Sequence, residues 1–184
     1  MKFIKTHISD LYIIEPSVFG DNRGYFLESF NLEKFEENVC PIKFVQDNES
    51  RSSKGVLRGL HFQKPPFSQA KLVRCIEGRV MDVAVDIRKG SPTYGKHVAI
   101  ELTGENKRQL FVPRGFAHGF SVLSDTAVFA YKVDNRYAPE SDSGIRYDDK
   151  ELNIDWGLKG SEILVSAKDS ELPFLSEFES PFTN

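Results

Sequence analysis

Apolar and polar residues alternate one by one through the middle of this chain. Met81, Val83, Val85 and Ile87 fall on one side of a run whose other side is Asp82, Ala84, Asp86 and Arg88. Val98, Ile100 and Leu102 alternate with His97, Ala99, Glu101 and Thr103. Ala127, Phe129, Tyr131 and Val133 alternate with Val128, Ala130 and Lys132. A period of two marks a strand, because successive side chains of an extended backbone point to opposite faces. Turn-forming groups separate the runs: Glu77-Gly78, Lys89-Gly90-Ser91-Pro92, Thr103-Gly104-Glu105-Asn106 and Ser124-Asp125. Short strands with polar turns at regular spacing predict an all-β sandwich or barrel. One early helix is predicted, capped by Asn31, with Leu32, Phe35 and Val39 on its apolar face. After Tyr147 the pattern becomes irregular and acidic. Trp156 and Leu158 are expected to pin this tail, about 148–184, to the barrel. No repeat or linker divides the chain, so 1–184 reads as a single domain.

Composition narrows the function classes. A chain of 184 residues can bury about 70% of its unfolded surface without a covalent staple. Its formal charge is -3 and it has no long basic run, which excludes bulk nucleic-acid binding. Fifteen Phe and six Tyr suit a β-rich core or a base-stacking site. Two cysteines, Cys40 and Cys75, make no disulfide framework and read as reduced, buried thiols. The start, Met1 to Thr6, lacks the apolar core of a signal peptide. Nothing approaches the ~18 apolar residues of a membrane span. A soluble, cytoplasmic protein without membrane partners is expected.

Arg58-Gly59-Leu60-His61-Phe62-Gln63 and Pro113-Arg114-Gly115-Phe116-Ala117-His118 resemble the two halves of a cupin-type jelly-roll barrel. That fold commonly holds a metal on a His-x-His pair, but here Gln63 stands at the second His. Two histidines on separate strands are a poor metal cage, so no metal and no cofactor are expected. On a strand, His61 and Gln63 share one face, while Leu60 and Phe62 share the other. Lys71, Val73 and Cys75 share a face of the next strand. If those two strands pair around the Pro65-Pro66 loop, His61 and Lys71 line one cavity. A neutral His can remove a proton from carbon beside a carbonyl, Lys71 can hold the enolate, and the Tyr131 phenol can return a proton from the opposite face. Asp169, folded back, could bond the far nitrogen of His61 and fix its tautomer. Taken singly, each has a plainer reading: His61 and Tyr131 as core residues, Lys71 and Asp169 as solvated ones. His118 could be a metal ligand, a substrate donor or a barrel-corner residue. Arg23, Arg58 and Lys71 could grip a diphosphate, since no glycine-rich phosphate loop occurs.

Taken together, the motifs resemble the dTDP-4-dehydrorhamnose 3,5-epimerase family of nucleotide-sugar metabolism. They are Phe-x-Asp-x-Arg-Gly-x-Phe-x-Glu over Phe19 to Glu28, Gln46-Asp47-Asn48, Val56 to Gln63, Lys71-Leu72-Val73-Arg74, Ser91 to Gly95, Pro113 to Phe120, and Ser166-Ala167-Lys168-Asp169. The resemblance implies a metal-free, cofactor-free cupin-type jelly roll, usually a homodimer, acting on a dTDP-4-keto-6-deoxyhexose. It implies His61 as general base with Asp169, Lys71 facing the enolate and Tyr131 as proton donor. It places Arg23, Glu28, Gln46, Asp47, Asn48, Arg58, His118 and Lys168 around the dTDP-sugar, with some groups supplied by the partner subunit. Phe26 and Tyr137 are candidates to stack on the thymine. Asp142 stands where the family commonly has Glu, and Arg136 where an aromatic residue is frequent. Rival readings are a single-centre or different-sugar epimerase, a metal-dependent cupin enzyme, and a sugar-binding jelly roll without activity.

Overall fold

The alternating runs do become strands. The computed structural model describes residues 1–159 and 162–183. Its strands are β1 (Lys2–Lys5), β2 (Tyr12–Glu15), β3 (Val18–Asp21), β4 (Gly24–Leu27), β5 (Gln46–Ser53), β6 (Leu57–Gln63) and β7 (Lys71–Glu77). They continue as β8 (Arg79–Asp86), β9 (His97–Thr103), β10 (Gln109–Val112), β11 (Phe116–Val122), β12 (Thr126–Val133) and β13 (Asp142–Gly144). One sheet runs β1-β2-β10-β7-β12-β5, the facing sheet runs β13-β6-β11-β8-β9, and β3 pairs with β4 as a separate hairpin. Neighbouring strands pair antiparallel, as expected of a jelly roll.

The space between the sheets is filled from both sides. Val73, Cys75, Leu110 and Phe129 meet Val80, Ala84, Leu102 and Phe120 there, all buried. The alternation of β8 resolves in an unexpected direction. Its more apolar side, Met81, Val83, Val85 and Ile87, does not face the barrel interior. It packs outward against Ile145, Leu152, Trp156, Leu175 and Phe182 of the C-terminal segment. The other face, with Ala84 and Asp82, turns inward. Both faces of this sheet are covered, so hydrophobicity alone does not say which is inside.

The helix forms as expected at α1 (Leu32–Asn38), where the Asn31 side chain accepts from the Lys34 amide at 3.0 Å. Phe35 is its buried anchor, packed on Phe111 and Phe44 on the outer face of the larger sheet. Burial of such a ring contributes about 1.5–3 kcal/mol. Leu32, expected on the same face, is 49% exposed. The helix has seven residues, with Leu32 at its first position and Phe35 its buried residue.

The tail is pinned largely as expected. Trp156 is buried and donates from Nε1 to the Tyr147 carbonyl at 2.9 Å. Leu158 is only half-buried and takes no part in that cluster. Asp149, also buried, accepts from the amides of Glu151, Leu152 and Leu175, fastening the segment's two ends together. Leu164 then bonds through its backbone to Gly55 and Leu57, which brings the residues after it beside β6. Cys40 and Cys75 are free thiols; Cys75 is buried, but Cys40 is half-buried rather than enclosed. No described helix is long and apolar enough to cross a membrane.

Candidate active site

A cavity of about 570 Å³ remains at one end of the barrel, between β6, β7, β11 and β12. Strand alternation aims His61, Lys71, His118 and Tyr131 into it. Phe120 and Phe129, stacked at 4.1 Å, give it an apolar wall. A smaller hollow of about 280 Å³ opens from the same His61, Lys71 and Tyr131 and carries Gln46, Asn48, Tyr137 and Asp142.

Glycine sets the local geometry of β6. Gly59 has φ +141°, and a Cβ there would stand 2.5 Å from the Gly119 Cα. The two backbones approach closely where β6 meets β11, and the register shifts between His118 and Phe120. His61 and His118 are consequently paired opposite each other across the two strands.

The tail supplies the group behind His61. A short helix, α2 (Ala167–Ser170), is capped by Ser166, whose hydroxyl accepts from the Asp169 amide at 3.1 Å. Asp169 is 4% exposed, and its Oδ1 lies 2.8 Å from His61 Nε2. Burial raises the Asp169 pKa, but the His61 hydrogen bond and charge, with the Gly59 amide and the Ser166 hydroxyl, outweigh it and hold the carboxyl below its usual range. An anionic acceptor keeps the proton on Nε2 and leaves Nδ1 as the free base nitrogen.

Burial shapes the other two groups differently. Lys71 is desolvated and its pKa drops to about 8, although Asp142 and Asp82 oppose the fall. Burial pushes the Tyr131 phenol above its ordinary value, with Arg58 opposing and Asp142 and Tyr137 reinforcing the rise, so it stays protonated at neutral pH.

Other sequence candidates fall into three groups. Arg58 and Lys168 line the main cavity, with Arg58 Nε 3.2 Å from the Ser52 hydroxyl. Lys168 is ion-paired with Asp142, which also accepts from the Tyr137 hydroxyl at 3.3 Å. Gln46 and Asn48 face the smaller hollow and bond each other at 2.8 Å, whereas Asp47 points from the opposite face of β5 and pairs with Lys132. Arg23, Phe26 and Glu28 line neither the cavity nor the hollow beside it. Arg23 pairs with Asp21 on the β3–β4 hairpin, Phe26 is 70% exposed there, and Glu28 is bonded to Lys34 and Asn31.

Gln63, at the position of a cupin metal ligand, is a structural clamp. Its amide donates to the Phe67 and Arg136 carbonyls and accepts from the Ala138 amide. Among the described residues no three His, Cys, Asp or Glu side chains gather into a metal-binding group. Arg136, the departure noted beside Tyr137, lies 4.7 Å over the Phe67 ring. Asp82 is the site residue that sequence reasoning passed over; it bonds His118 from beneath. Its signal was a carboxylate amid the apolar run Val80 to Ile87.

A family model described as dTDP-4-dehydrorhamnose 3,5-epimerase matches residues 5–177. The chain is 58% identical over 170 residues to the dTDP-4-dehydrorhamnose 3,5-epimerase of Shigella flexneri, covering 92% of this chain and 93% of that protein. It is 55% identical over 178 residues to the enzyme of the same name from Escherichia coli K12, covering 96% of each. Among solved structures, it is similar to dTDP-6-deoxy-D-glucose-3,5-epimerase from Legionella pneumophila in complex with dTDP-4-keto-L-rhamnose. That likeness has a TM-score of 0.93 and 51% identity, covering 97% of this chain and 94% of that one.

Proposed function

Because the chain belongs to the dTDP-4-dehydrorhamnose 3,5-epimerase family and is an epimerase of dTDP-sugars, we propose that His61, Lys71, Tyr131 and Asp169 carry the reaction. The substrate is dTDP-4-dehydro-6-deoxy-D-glucose and the product dTDP-4-dehydro-L-rhamnose. The 4-keto group acidifies the protons on carbons 3 and 5. His61 Nδ1 takes each proton in turn, while Asp169 steadies the imidazolium that forms. The Lys71 ammonium stabilises the enolate oxygen, where a desolvated charge acts most strongly. The Tyr131 phenol returns a proton from the opposite face, which inverts the centre. Proton exchange with water restores neutral His61 and the phenol before the second carbon reacts.

The observation that carries this reading is that an imidazole backed by a buried carboxylate shares one cavity with a desolvated ammonium and a protonated phenol. A binding module needs neither the base nor the acid. In this reading Arg58 and Lys168, which line the same cavity, meet the diphosphate. We further propose a homodimer whose β3–β4 hairpin carries Arg23, Phe26 and Glu28 to the partner's cavity. This reading is supported by the exposure of Phe19, Tyr25 and Phe26 on that hairpin. His61→Ala and Tyr131→Phe should each lower kcat by about 10²–10⁴-fold, while calorimetry finds dTDP affinity little changed. A loss of affinity matching the loss of turnover would remove both residues from catalysis.

A further inference from the structure

The proposed chemistry leaves several buried ionisable side chains unused, and one of them, Asp82, is bonded to a histidine of the cavity wall. Asp82 stands in the middle of β8, wholly buried, and faces the barrel interior. Its two oxygens lie 3.1 and 3.0 Å from His118 Nε2. A carboxylate sealed in protein without a partner costs several kcal/mol, so a role for Asp82 runs through His118. The imidazole is 7% exposed, borders the cavity and lies nearly parallel to Phe129, with ring centroids 6.2 Å apart and planes at 20°. Ring plane and hydrogen-bond direction are therefore both set.

A carboxylate acceptor keeps a proton on Nε2, so the second nitrogen of a neutral ring carries its lone pair. Among the described residues no sealed side-chain nitrogen or oxygen lacks a partner. His118 Nδ1 bonds no group among the described residues and so opens on the cavity that His118 lines. His61 is wired in the same way, with Nε2 on Asp169, and the two histidines face each other across β6 and β11. One ring nitrogen of each is thus left for the substrate.

We propose that Asp82 is a positioning residue: it locks His118 in the Nε2–H tautomer, presenting Nδ1 as the acceptor for a hydroxyl of the sugar ring. Holding one hydroxyl beside the ketone keeps the ring in place while protons are exchanged at two carbons. This inference rests on the epimerase reading above.

The test combines Asp82→Asn, nearly isosteric but able to offer a donor to Nε2, with His118→Phe and the double variant. Asp82→Asn should lower kcat about 10–100-fold, as loss of an orienting carboxylate behind a ring nitrogen does, with dTDP affinity within about 2-fold of wild type. The change should cost nothing further in the His118→Phe background. In long-range proton–nitrogen NMR of the wild-type enzyme, His118 should carry its proton on Nε2, and its Nδ1 resonance should move when dTDP-L-rhamnose is added. The inference is overturned by wild-type turnover in Asp82→Asn, by a full additional loss in the His118→Phe background, or by a proton on Nδ1 in the free enzyme. The NMR arm stands even if Asp82→Asn fails to fold. Wild-type uptake of solvent deuterium at both carbons shows separately whether the epimerase reading holds.

Discussion

At the scale of single residues, the site depends on what burial does to each charge. Lys71 is desolvated, and its pKa falls to about 8. In the proposed chemistry its ammonium holds the enolate, so kcat should decline as pH rises through about 8. Lys71→Arg keeps a charge at every accessible pH, and a pH profile of that variant should lack the decline, whatever its absolute rate. An unchanged alkaline limb would assign it to another group. Asp86 shows the opposite case. Burial raises its pKa, but bonds from Arg88, Ser91 and Thr93 outweigh it and hold the carboxyl at about 2. A depressed pKa gives stability that is complete above the unfolded value near 4 and drains as pH falls toward 2. Asp86→Asn should therefore lose roughly 2 kcal/mol at pH 7, and less in acid, as chemical denaturation at several pH values would register. Much of this scale was legible in the sequence, because His61, Lys71, Tyr131 and Asp169 were picked out and the structure gathers them at one cavity. Asp82 was not, because an aspartate between Met81 and Val83 looks like a solvent-facing residue until both faces of its strand are known to be buried.

At the scale of elements, the alternation gave the strands β6, β7 and β12 and their faces. However, β6 and β7 do not pair around the Pro65-Pro66 loop: they lie in opposite sheets, and His61 and Lys71 meet across the barrel interior. The alternation did not reveal which face of β8 is interior, since the tail covers the other one. Nor could it separate Asp47 from its neighbours Gln46 and Asn48 by role. The strand period separates them physically, sending Asp47 to Lys132 on the far face. The elements also set how tightly the site is held. Gly59→Ala would put a methyl 2.5 Å from the Gly119 Cα at a backbone angle that L side chains avoid. Overpacking typically costs about 1–3 kcal/mol, and the strands that carry His61 and His118 must part. Activity at a temperature where the variant remains folded should fall more than stability does. A variant with normal turnover would show that this crossing is not what sets the register. Ser166→Ala removes the cap of α2 and should cost about 1 kcal/mol. Because Asp169 sits on that single turn, its kcat should fall with little change in nucleotide affinity.

At the scale of the whole molecule, the barrel brings together groups far apart in sequence, and it leaves one part unsatisfied. The hairpin of β3 and β4 holds Phe19, Tyr25 and Phe26 out in water, at 65%, 58% and 70% exposure. The sequence marked this stretch as part of the site, yet a single chain leaves it apart from the cavity. The homodimer proposed above would reconcile the two. Phe26→Ser with Phe19→Ser should weaken association in analytical ultracentrifugation and lower activity in parallel. Full activity from a demonstrated monomer would contradict the shared site. The most direct measurement of the chemistry itself is NMR of dTDP-4-dehydro-6-deoxy-D-glucose incubated with the enzyme in deuterated water. Deuterium should enter carbons 3 and 5, with neither centre exchanging in the His61→Ala variant. Label at neither carbon with the wild-type enzyme, or undiminished label with the variant, would contradict a proton-transfer site built on His61.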